Sequence, residues 1–161
     1  MVPNYLGGYP DELVQQAGVL RARGVLLDRL LETYPEPNSV TNNALLHSYV
    51  QDLKRTYLKS SPPLGKVRYS DKISTLHRAL GLHSYVVRQQ GRNFKRKNEL
   101  RVASLFKEVP MPFLRMIVVH ELAHLRHKDH DKAFYRLCEH MEPDYHRLEL
   151  DLRLLLFAQQ R

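Results

Sequence analysis

Three histidines and a glutamate define the chemistry this chain can do. His120, Glu121 and His124 form a His-Glu-x-x-His pattern, and His130 follows six residues later. On a helix, four residues turn about 400°, so His120 and His124 project from one face roughly 6 Å apart along the axis. That spacing lets two imidazole nitrogens reach one Zn²⁺ at about 2.0–2.1 Å each. Glu121 then stands beside the metal without ligating it. Its carboxylate can take a proton from an activated water and pass it to a leaving amine. This is the chemistry of a zinc-dependent hydrolase that cuts peptide bonds.

A catalytic zinc usually takes three protein ligands and keeps a position for water. His130 is the first choice for the third. Six residues leave room for the helix to end and the chain to return. The spacing equals that between the second and third histidines of the HExxHxxGxxH motif. No glycine marks the turn; His127 occupies that place. His127 is also a rival ligand, although a straight helix carries it a turn beyond the other two. Glu139, Glu142 and Glu149 are carboxylate alternatives. An apolar run, Met116–Val119, precedes the motif, and Leu122, Ala123 and Leu125 fill its gaps. Polar groups in such surroundings need partners, and a metal ion supplies one.

The elements that must position these residues can be read from periodicity. Val109–Lys128 reads as one buried helix, with Pro110 and Pro112 in a first turn that has no use for their missing amide hydrogens. Residues 128–131 interrupt it. Asp131 can cap a further helix through about Met141, and a last helix runs from Tyr145 to Gln159 with Leu148, Leu152, Leu155 and Leu156 inward. Upstream, Leu13, Ala17, Leu20, Leu27, Leu31 and Tyr34 share one face of a helix that the prolines of 34–38 end. A second helix follows Ser39, with Leu46, Tyr49, Leu53 and Tyr57 inward, and stops at Ser60–Gly65. Between Lys66 and Val109 the segments Lys66–Ser70, Lys72–Leu76, His83–Arg88 and Glu99–Phe106 predict a small sheet of three or four strands. The class is α+β, with a helical region over 1–64 and the metal-site domain over 65–161.

Composition sets the outer bounds. At 43% hydrophobic and 26% charged, 161 residues can bury one ordinary core. The net charge of +8 attracts nucleic acid, anionic membrane or acidic protein without choosing among them. The single cysteine, Cys138, rules out an internal disulfide and falls on an apolar stripe with Phe134, Leu137 and Met141. No secretory pattern opens the chain and no apolar run is long enough to span a bilayer, so the expected location is cytoplasmic, away from membrane.

The block from Val118 to Leu137 resembles the active-site block of the YgjP-like metallopeptidases and, more distantly, of the SprT-like and WLM proteases. The shared pattern is represented by His120, Glu121, Leu122, His124, His130 and Phe134. The resemblance covers roughly Lys66 to Tyr145. It implies His120, His124 and His130 as zinc ligands, Glu121 as catalytic base, and a minimal zincin-like fold with a small antiparallel or mixed sheet on the active-site helix. It also implies a peptide or protein substrate lying along an edge strand, for which Glu99–Ser104 is the candidate. Tyr135 or Tyr145 could donate a hydrogen bond to the developing oxyanion. One departure stands out: Ala-Leu-Gly-Leu-His-Ser, 79–84, replaces a tryptophan-glycine-serine stretch, and the chain has no tryptophan.

Arg88–Arg101 carries six cations against one carboxylate, with Phe94 among them. Arg92, Lys95, Arg96 and Lys97 could track a phosphate backbone while Phe94 stacks on a base. The same charges also suit a solvated hairpin tip. Three functions follow. The first is a zinc metallopeptidase. The second is the same chemistry confined to protein on DNA, as the SprT-like and WLM relationship implies. The third is a non-catalytic zinc-stabilised module that binds nucleic acid or acidic partners.

Overall fold

A computed structural model describes residues 4–72 and 99–160. Helix α1 (Asp11–Ala22) begins with two acids, Asp11 and Glu12, which suit the positive end of its dipole. It does not run on to Tyr34. Gly24 takes a φ of +74°, and the amides of Gly24 and Val25 return to the carbonyls of Arg21 and Leu20. This paired return is how a glycine in the left-handed region closes a helix. Helix α2 (Leu26–Thr33) therefore starts in a new phase: Leu26 and Leu30 are buried, and Leu31, expected inward, is exposed.

Helix α3 (Asn43–Tyr57) is capped by Asn42, whose side chain accepts from the Leu45 amide at 2.9 Å. It buries Leu46, Val50 and Leu53. Strands β1 (Lys66–Ser70) and β2 (Glu99–Ala103) pair in parallel, Lys66 opposite Glu99 and Ser70 opposite Ala103. These are the only strands among the described residues. The expected strand His83–Arg88 and nearly all of Lys72–Leu76 lie outside them. Ser104–Phe106, expected as a continuation of β2, falls instead in a 3₁₀ turn, Ser104–Lys107.

Helix α4 (Met111–Ala123) follows, then α5 (Lys132–Met141) and α6 (Tyr145–Gln159). Helix α4 packs on β2, α5 and α6, while α3 covers β1 and α2 lies on α6. The architecture is the expected α+β one: a small sheet and helices α5 and α6 packed on the almost fully buried α4, with α2 and α3 packed outside them on α6 and β1. Arg115 of α4 donates to Glu142 and to the Met141 carbonyl, which ties α4 to the end of α5. Among the described residues, no helix is long and apolar enough to cross a membrane.

Candidate metal centre

The polar residues of the motif sit at the end of the most buried helix. His120 is 1% exposed and Glu121 6% exposed. The helix ends at Ala123, five residues before the expected end near Lys128, with His124 as its C-cap. The amides of Leu125, Arg126 and His127 turn back to the carbonyls of Leu122 and Ala123, closing a tight turn. The chain then reverses. His127 leaves the helix face, and its backbone carbonyl accepts a hydrogen bond from His124 Nδ1 at 2.9 Å.

That reversal carries His130 to the site. Its Nε2 stands 3.0 Å from His124 Nε2. Asp131 immediately caps α5, accepting from the Phe134 amide at 2.9 Å, so His130 is anchored at a fixed helix entry. Ligand-capable atoms of His120, His124 and His130 all lie within 4.8 Å of one another. Phe134 packs against all three imidazoles, with ring centroids 5.0, 4.6 and 4.9 Å away. The sequence signal for Phe134 was an aromatic residue one helical turn past the third histidine.

The hydrogen bonds behind the ligands set their orientation. His120 Nδ1 meets the hydroxyl of Tyr145 at 2.7 Å. Tyr145 is fully buried, and burial, with Glu149 nearby, pushes its hydroxyl well above the usual tyrosine range. Burial likewise pushes the Cys138 thiol up to about 12, and Tyr145 is its hydrogen-bond neighbour. Both groups are therefore neutral at physiological pH. His124 Nδ1 must donate to the His127 carbonyl, which leaves its Nε2 lone pair for a metal, and His120 matches it in the tautomer whose Nδ1 donates to the Tyr145 hydroxyl, the arrangement that outer partners impose on histidine ligands.

The donor set fits a metal ion. Two ligand atoms bound to one tetrahedral ion at 2.0–2.1 Å stand about 3.3 Å apart, close to the 3.0 Å between His124 and His130. Neutral imidazoles suit zinc, copper, iron and nickel. Two of the carboxylate alternatives are engaged elsewhere. Glu139 pairs with His146 at 2.7 Å, and Glu142 with Arg115 at 3.2 Å. Glu149 lies half-buried beside Arg153, its carboxyl raised by burial. Tyr135 stands further out, its ring 6.4 Å from that of His130. Arg92, Lys95, Arg96 and Lys97 lie outside the described residues.

A family model described as YgjP-like, metallopeptidase domain, matches residues 70–154. The chain belongs to the YgjP-like family. Across 152 residues it is 52% identical to the UTP pyrophosphatase of Escherichia coli strain K12, covering 94% of this chain and 91% of that protein. No solved structure matches the chain. The family resemblance read from the histidine block thus holds, and so does metal-dependent hydrolysis as the class of reaction.

The expected substrate does not hold. The peptidase function, together with its DNA-associated variant and the non-catalytic alternative, is corrected by the relative, whose name specifies a nucleotide rather than a peptide bond. The physical reason is plain. A metal triad with an adjacent carboxylate activates water, and activated water attacks a carbonyl carbon or a phosphorus alike. The motif encodes the nucleophile, and the surrounding pocket chooses the electrophile.

Proposed function

We propose that this YgjP-like protein is a zinc-dependent nucleotide pyrophosphohydrolase that converts UTP and water into UMP and pyrophosphate. The observation that carries the substrate class is the 52% identity to a UTP pyrophosphatase along 94% of the chain. The three clustered imidazoles and the buried carboxylate next to them support the hydrolytic step.

His120, His124 and His130 would hold the ion, which when bound would supply Lewis acidity and lower the pKa of water. Glu121 takes the proton from the attacking water oxygen. That oxygen forms the new bond to the α-phosphorus as the bond from this phosphorus to the α–β bridging oxygen breaks. The electron pair leaves with pyrophosphate. Tyr145 is a positioning residue: its hydroxyl holds Nδ1 of His120, so the ring presents Nε2 to the site. The His127 carbonyl does the same for His124.

The test is product analysis with the purified, zinc-loaded chain. UMP and pyrophosphate should form one to one from UTP. Appearance of UDP and orthophosphate, or no turnover of any nucleoside triphosphate, would remove this reading. Glu121→Gln should lower turnover by about 10²–10⁴-fold, while metal content by mass spectrometry stays at one per chain. Tyr145→Phe keeps the ring and should weaken metal affinity by about 10–100-fold.

A further inference from the structure

Two cations converge on one serine pair against the turn that closes α4, and among the described residues neither has an acidic partner. Lys54, in the last turn of α3, is only 9% exposed, yet its ammonium donates to nothing more acidic than the Ser61 carbonyl, at 3.1 Å. Arg126 lies in the turn that closes α4, two residues past His124. Its Nε donates to the Ser61 hydroxyl at 3.2 Å and its Nη2 to the Ser60 hydroxyl at 3.3 Å. Among the described residues, every ion pair involves other side chains.

This is an unbalanced arrangement. A buried ammonium is costly without a counter-charge, and a carbonyl oxygen compensates only part of that cost. The Arg126 fork spends two donors on hydroxyls, although its geometry suits an oxyanion with two oxygens. Ser60 and Ser61, while accepting from Arg126, keep their own O–H protons to donate. Pro62 and Pro63 follow directly and restrict the backbone of that loop. Cations, free hydroxyl protons and a stiff loop together describe a place for a multiply charged oxyanion.

We infer that Lys54, Ser60, Ser61 and Arg126 form a phosphate subsite that receives the terminal phosphates of the substrate and the departing pyrophosphate. The inference rests on the reading of the chain as a nucleotide hydrolase. The turn carrying Arg126 is the one whose His127 carbonyl orients His124, so the subsite and a candidate ligand are held by the same few residues of backbone. The loop between α3 and β1 thereby becomes part of the active site, a role that neither the histidine motif nor the basic segment 88–101 indicated.

The experiment is a titration of the metal-free full chain with inorganic pyrophosphate, by calorimetry, so that binding is read without catalysis. Wild type should bind, and Arg126→Gln, an exposed position that leaves the fold intact by circular dichroism, should bind about tenfold more weakly or worse. Lys54→Met, which keeps the stem volume, should do the same, and Asp52→Asn, on the same helix, should not. In turnover of UTP by the zinc-loaded chain, Arg126→Gln should raise KM with little change in metal content. Equal pyrophosphate binding by wild type and Arg126→Gln, or no binding by either, overturns the subsite even if UTP is hydrolysed. Arg126-dependent binding in a chain that hydrolyses no nucleotide would uphold the subsite and sink the proposed reaction instead.

Discussion

Helices α4 and α1 face opposite demands. Helix α4 buries ten of its thirteen residues, including His120 and Glu121. Helix α1 buries one of twelve, Ala17. Both were read from apolar spacing, but only α4 has neighbours on every side. The difference shows why the chemistry sits where it does. Ligands that must stay within a fraction of an ångström need side chains locked by packing, which an enclosed helix provides and a surface helix does not.

The contrast can be broken or sharpened by mutation. Phe113 of α4 is fully buried, its ring 4.7 Å from that of Tyr34. Phe113→Ala should cost about 3–5 kcal/mol in urea denaturation, and a cost under ~1 kcal/mol would mean that α4 is not the rigid centre described here. Gly24, which closes α1, has open space where a Cβ would go, so Gly24→Ala should cost only the left-handed backbone strain, about 1–2 kcal/mol.

Glu149 offers a pH test of the opposite sign. Burial raises its folded pKa, while Arg153 and His146 pull it down. The charged form is therefore the penalised one: stability is unaffected below the unfolded carboxylate range and is lost as pH rises through the folded value. Glu149→Gln should raise Tm at pH 8 by at most about 2–4 °C, and the gain should vanish towards pH 4. A gain that grows on acidification would reverse the assignment. Smallest of all, Val19→Ser on α1, at a side chain 50% exposed, should stay within about 0.5 kcal/mol of wild type. A larger loss would show that α1 is more than a peripheral helix.

Much of the site was legible from local rules. The four-residue spacing of His120 and His124, the adjacent Glu121 and the Asp131 cap were all readable, because each depends on the geometry of one or two turns. The end of α4 was not. Leu125 and His127 continue the helical pattern, and no glycine signals a stop. What closes the helix is the turn after Ala123 together with the His124–His127 contact. The break at Gly24 had a signal, but a seven-residue spacing from Leu20 to Leu27 carried the pattern across it. Tyr145 lies 25 residues from His120 and Ser61 lies 65 from Arg126, separations at which no periodicity operates.

The sequence by itself determined the residue types and the helical spacing of the candidate metal centre, since both are local properties of the chain. Tertiary structure decided which atoms stand behind the ligands and which cations gather beside them, because those pairings form only when distant helices pack together. The choice between carbon and phosphorus as the atom attacked belongs to that second level, and a motif of four residues carries no information about it.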